Sequence, residues 1–318
     1  MNEKIVLSVL IAFVITFGLL FTINYLRDSP RENLTSDIFY SQQFDPKINK
    51  IFLIGSSHIG HLNTTLIIEN IKQNHKNFDV YNLAENGDSP KVRSKSISKI
   101  ISTNPELVFY GISFRDFHSE PNSINANQEF FNIQQTLENN IPNELVSINP
   151  QKITRTLIRD FLNDVGLVKL PVYDIYPPNT PFFYLGPLQT VIKNDDELQR
   201  QLLLVLPKPS EINIQTNNEQ VKNFKQIILE FQKNDIKVVL FITPSHRIYL
   251  SEIPSDDVKA FDEIITQISN EFNLKIYDFN SKYSDLLVWN NLDHIAYNED
   301  SMGFSQDISE MILMEIDS

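Results

Sequence analysis

Short, largely apolar runs recur along this chain, and each is followed by a stretch with helical spacing. The runs fall at residues 50–55 (KIFLIG), 78–84 (FDVYNLA), 106–112 (ELVFYGI), 236–244 (IKVVLFITP) and 274–279 (LKIYDF). Residues 63–74 suit a helix capped by Asn63 or Thr64, and residues 89–103 open with a Ser cap and a Pro at the first helical position. Residues 218–234 place Val221, Phe224, Ile228 and Phe231 on one helical face. Residues 255–272 carry a Ser cap, early acids and a stripe of Val258, Phe261, Ile265, Ile268 and Phe272, and residues 299–316 read as a closing helix. Strands alternating with helices predict an α/β fold: a flavodoxin-like three-layer sandwich around a five-stranded parallel sheet. Such sheets bind ligands outside the carboxyl ends of their strands.

The N-terminus has a different character. Residues 5–26 (IVLSVLIAFVITFGLLFTINYL) contain no charged side chain, and Lys4 and Arg27 bound them. At about 1.5 Å per residue this run covers roughly 33 Å, enough for one bilayer crossing. It is longer than a secretory h-region and lacks a small-residue cleavage site. Residues 1–27 are therefore expected to be an uncleaved signal anchor and 28–48 a polar tether, with the α/β domain over 49–318. Lys4 before the span and Arg27 and Arg31 after it do not set an outward C-terminal domain by charge count. The sequons at Asn33 and Asn63 fit an exported domain but are common by chance.

The formal net charge of −13 and the lack of a Lys/Arg-rich run exclude the electrostatics of a nucleic-acid binder. With no cysteine, disulfides and thiolate metal sites are excluded as well. No Gly-x-Gly-x-x-Gly or P-loop supports a nucleotide binder, and no cofactor is called for. Between the third and fourth runs lies a long insertion, about residues 116–216, rich in Asn, Gln, Pro and aromatics. It has one expected helix at 150–166 and a Pro-punctuated loop at 174–187.

Chemistry-bearing residues gather where the strands end. The first run stops at Gly55-Ser56-Ser57-His58, the second leads to NLAENGDSP with Gly87, and the third ends in GISFRDF with Ser113, Arg115 and Asp116. The fourth ends in TPSHR with His246, and WNNLDHIAYN, with Asn291, Asp293 and His294, precedes the last helix. A serine hydroxyl needs a base to take its proton, and backbone N–H groups then stabilise the oxyanion.

This order resembles the SGNH (GDSL-like) hydrolase superfamily over residues 51–113 and 236–316. On that resemblance IGSS points to Ser57 as nucleophile, and NLAENG points to Gly87 as an oxyanion donor. GIS offers Ser113 where the family carries Asn. The family closes with Asp-x-x-His. Taking His294 as its His puts Asn291 at the Asp position, while counting three on from Asp293 reaches Ala296. His294 is the expected base, with Asp293, its chain neighbour, as orienter. Asn291 and His246 are grouped with the substrate-binding residues. The resemblance implies a membrane-anchored serine esterase or O-acyltransferase acting on acyl esters, as anchored relatives act on acylated cell-surface glycans, sometimes beside a multi-spanning membrane acyltransferase. It also implies an extracytoplasmic domain.

Blander roles compete at each position. Ser56 or Ser57 suits a helix cap, and His58 and His61, at i, i+3, could pair on a metal but lack an evident third ligand. His246 fits a pocket wall, Arg115 and Asp116 could pair with each other, and Trp289 and Tyr297 suit packing. A domain that kept the fold and lost the chemistry, serving as an accessory module of a membrane complex, is the competing function.

Overall fold

Five strands form one sheet whose three central strands are buried on both faces and whose edge strands are only partly covered. The computed structural model describes residues 39–119, 188–205 and 208–318, which all fall in one compact unit. β1 (Asn49–Gly55), β2 (Phe78–Ala84), β3 (Leu107–Ile112), β4 (Lys237–Ile242) and β5 (Ile276–Asp278) pair in the order β2-β1-β3-β4-β5, all parallel. Ile51, Phe52, Leu53 and Ile54 are wholly buried, which is why β1 reads as a continuous apolar run rather than an alternating one.

The helices in chain order are α1 (Thr64–Asn74), α2 (Pro90–Arg93), α3 (Ile97–Ser102), α4 (Asp195–Gln201), α5 (Glu219–Lys233), α6 (Arg247–Ser251), α7 (Ser255–Phe272) and α8 (Gly303–Ile316). α1 packs on α8, while α5 packs on α2, α3 and α7, giving two helical groups around the sheet. This is the expected flavodoxin-like arrangement. Strand order reverses between β1 and β3, so the carboxyl ends of those two strands flank the crevice where such sheets bind.

Several local expectations change. The helix expected over 89–103 divides into α2 and α3. Ser94 and Ser96 hydroxyls donate back to the carbonyls of Lys91 and Arg93 (2.9 and 3.1 Å), competing with the helical ladder at the break. Ser255 begins α7 but makes no side-chain cap; Pro254 holds the cap position. Asn63 caps α1 by accepting from the Leu66 N–H (3.1 Å) and directs its amide at the Met302 sulfur (3.3 Å), so its amide is engaged inside the fold.

The tether is shorter than expected. Phe39 lies 5.6 Å from Tyr81 and 6.2 Å from Phe52, and Phe44 lies 5.7 Å from Tyr81, so residues from 39 onward pack with the sheet. The expected signal anchor, the rest of the tether, the 150–166 helix and the 174–187 loop lie outside the described residues. Among the described residues no helix is long and apolar enough to cross a membrane. α4, within the insertion, was not expected. Its signal is a capping box in which Asn194 and Glu197 satisfy each other's backbone N–H groups at 3.0 Å.

Two short antiparallel strands, β6 (Trp289–Asn291) and β7 (His294–Ile295), form a hairpin after β5. Asn291 is paired with His294, leaving Leu292 and Asp293 as the turn. Residues 189–193 brace this hairpin: Tyr297 N–H donates to Gln189 O and Lys193 N–H to Trp289 O, both at 2.8 Å.

Candidate active site

Gly55 ends β1 because no other residue fits there. Its φ is +147°, and a Cβ would stand 2.6 Å from the Gly111 carbonyl oxygen on the neighbouring strand. Immediately after it, Ser57–Ile59 make one 3₁₀ turn. As the first residue of that turn, Ser57 has an N–H that the turn leaves without a partner. Neither serine caps it through its side chain.

Ser57 Oγ lies 2.8 Å from His294 Nε2, and His294 Nδ1 lies 2.7 Å from Asp293 Oδ1 and 2.9 Å from Asn291 Oδ1. Neighbouring side chains in an extended segment point apart, yet Asp293 reaches His294. The cause is the turn: Asn291 Oδ1 accepts from the Asp293 N–H (3.1 Å), and the chain folds back there. Both residues that the sequence offers as orienters thus face the same ring nitrogen.

Proton positions follow from the partners. Burial pushes the Asp293 carboxyl up, but Arg115, then His294, and the hydrogen bonds from His294 and His58 hold it well below the usual carboxylate range. An ionised carboxylate can only accept. His294 therefore carries its proton on Nδ1, leaving Nε2 to accept from the Ser57 hydroxyl. Burial lowers the His294 imidazole against the pull of Asp293, favouring the neutral ring that a general base requires.

Other candidates are placed differently. Ser113 does not present donors to an oxyanion: its N–H and its hydroxyl (3.0 Å) both go to Asp116 Oδ2, which caps the turn after β3. Burial raises that Asp116 carboxyl to about 7, against these bonds. Arg115 pairs with Asp293 (3.2 Å) rather than with Asp116. His246 caps α6 by accepting from the Ile248 N–H (3.2 Å), and its Nε2 faces Asp195 at 3.3 Å. Its ring serves α4 and α6 and lines a separate groove with Lys193, Asp285 and Leu286, so it leaves the set around Ser57. Gly87 holds a left-handed turn (φ +67°) after β2, and a Cβ there would meet nothing within 4 Å. The turn needs glycine for its backbone, and that face of it is open. Trp289 is buried, with its indole N–H on the Tyr283 carbonyl (3.0 Å).

His61 and His58 face different partners. His61 Nδ1–H donates to the Ile295 carbonyl (2.8 Å), and burial, then the charge of His294, pushes its imidazole down to about 4. His58, Asp293 and His294 bring donor atoms within 4.8 Å of one another, a spacing that could hold a cation. The Arg115 guanidinium already neutralises the same carboxylate, which opposes a dication there.

No protein-family model and no curated protein sequence matches the chain significantly. Among solved structures it is similar to lipases and esterases. A lipase/acylhydrolase from Enterococcus faecalis is 12% identical over 85% of this chain and 95% of that one, with a TM-score of 0.43. The acetyl xylan esterase AlAXEase is 10% identical over 83% and 99%, with a TM-score of 0.44. The psychrotrophic esterase EstA from Pseudoalteromonas sp. is 12% identical over 85% and 100%, with a TM-score of 0.40. At these values the likeness bears no functional conclusion, which rests on the site's own geometry.

Proposed function

We propose that this chain is a serine esterase or O-acyltransferase, anchored in a membrane through residues 5–26, whose extracytoplasmic domain acts on acylated cell-surface glycans. The observation that carries the chemistry is the continuous hydrogen-bond chain from Ser57 through His294 to Asp293. In this reading Ser57 Oγ attacks the ester carbonyl while His294 Nε2 takes its proton. Asp293 stabilises the imidazolium that forms, and the Ser57 and Gly87 N–H groups receive the oxyanion. The imidazolium returns the proton to the leaving alcohol, giving an acyl-serine. Water or an acceptor hydroxyl, deprotonated by the same His294, then releases the acyl group, as hydrolysis or transfer respectively. The uncharged N-terminal run supports the anchor, and the SGNH-like motif order supports the glycan-ester substrate and a multi-spanning acyltransferase as partner.

The competing accessory module would not need this array. A hydrogen bond of 2.8 Å between nucleophile and base opposes it. The test is labelling of the full-length chain in mild detergent with a fluorophosphonate probe. Wild type should be labelled covalently, and Ser57→Ala and His294→Ala should not. Absence of labelling in folded wild type would favour the module.

A further inference from the structure

Asp293 is shared by two histidines. Its Oδ1 meets His294, while its Oδ2 faces His58 Nε2 and Arg115 Nη1, each at 3.2 Å. The other nitrogen of His58, Nδ1, lies 2.8 Å from Ser56 Oγ. With Asp293 accepting, His58 carries its proton on Nε2, and the Ser56 hydroxyl donates to Nδ1. Two serine–histidine pairs therefore converge on one carboxylate, one at each oxygen.

The pairs are not equivalent. Ser56 is buried and the His58 side chain is only 6% exposed, so Ser56 is poorly placed to meet a substrate. What the second pair can do is hold Asp293 still. A carboxylate rotates freely about its last torsion, and this one sits in a two-residue turn beside the histidine it must orient. His58 comes from the turn after β1 and Arg115 from the turn after β3. Together they tie the hairpin to the two strand ends that flank the crevice. We propose that His58, with its tautomer fixed by Ser56, is a positioning residue that clamps Asp293 Oδ2 alongside Arg115, so that Oδ1 is presented to His294. This rests on the serine-esterase reading above.

The clamp has an electrostatic consequence. Each donor on Asp293 disperses its charge and weakens its support for the His294 imidazolium. Among the described residues, the charged and titratable groups facing this cluster are Arg115, with Tyr249 behind it (3.3 Å), Asp116 on Ser113, and His61, whose ring lies 5.7 Å from that of His294. Removing the His58 donor should lower the reaction rate and move its acid limb to higher pH, because His294 becomes more basic.

The experiment measures the fluorophosphonate labelling rate against pH for full-length wild type, His58→Leu and His58→Gln. Leu keeps bulk without a donor, whereas the Gln amide N–H can stand in for Nε2–H. His58→Leu should label about 10–100-fold more slowly, the scale seen when a histidine or carboxylate that binds a metal loses its outer hydrogen-bond partner, with its acid limb raised. His58→Gln should recover most of the rate. An unchanged rate and limb in His58→Leu would overturn the proposal. So would equal losses in both variants with the limb unmoved, since that is what a purely structural role gives. If wild type is not labelled, the esterase reading has failed by itself. The clamp is then read from the NMR titration of the His294 imidazole, which needs no chemistry, and an unshifted titration in His58→Leu would overturn it.

Discussion

At the scale of single residues, the site poses a choice between two orienters. Asn291 stands three residues before the base, and Asp293 is its immediate neighbour. Both oxygens reach His294 Nδ1, at 2.9 and 2.7 Å, but only Asp293 carries charge and only Asp293 is held by Arg115. The neutral amide can fix the ring's tautomer; it cannot stabilise an imidazolium as a carboxylate does. Asp293→Asn should therefore reduce the fluorophosphonate labelling rate by about 10³–10⁴-fold, while Asn291→Ala should cost about 10-fold or less. Part of the Asn291 loss should come through the turn, since its Oδ1 also accepts from the Asp293 N–H. Equal losses in the two variants would mean that Asn291 supports the base as much as Asp293 does.

At the scale of elements, what the sequence reveals depends on whether an element has a period. β1 to β4, α5 and α7 are long enough for their apolar spacing to be read directly, while Ser57 and His294 come from the resemblance, which sets one after the first strand and the other before the last helix. β6 and β7 have three and two residues, too few for any pattern, so the hairpin was invisible and with it the reason Asp293 and His294 converge. The Ser113 assignment failed for a related reason: GIS followed three residues later by Asp116 is a turn cap, and the cap takes both Ser113 donors. His58 and Arg115 could not be tied to Asp293 because their partner lies on a distant segment, with His58 separated from it by 235 positions. The legible elements still carry a sharp prediction. Gly55 lets β1 approach β3, and a Cβ would stand 2.6 Å from a backbone oxygen that cannot move without disturbing the sheet. Gly55→Ala should cost about 2–4 kcal/mol of unfolding free energy by denaturant titration. Gly87→Ala, with no contact to relieve, should cost only the left-handed backbone, about 1–2 kcal/mol. Similar losses for both would mean that crowding at the β1 end is not what selects glycine.

At the scale of the whole molecule, the site exists only while two remote segments stay together. Residues 51–61 and 289–296 meet across the carboxyl end of the sheet, helped by α1 packing on α8. His61 is one of the fasteners: its Nδ1–H donates to the Ile295 carbonyl (2.8 Å), one residue beyond the base. This fastener is sensitive to pH. The folded imidazole is pushed down to about 4, chiefly by burial, whereas an unfolded histidine titrates near its ordinary value of about 6.5. As pH falls, the unfolded chain takes the proton first. The His61 contribution is therefore complete above about 6.5 and is lost progressively toward about 4, with about 3 kcal/mol at stake across that window. Buried acids such as Asp116 pull in the opposite sense, so the effect is read as a difference between variants. In His61→Asn the amide can still reach the Ile295 carbonyl but does not titrate. The unfolding free energy of wild type relative to His61→Asn should fall between neutrality and pH 5, wild type losing more as the medium turns acid. Parallel pH profiles would mean that His61 is not held neutral, and that the two halves of the site are fastened by something other than this imidazole.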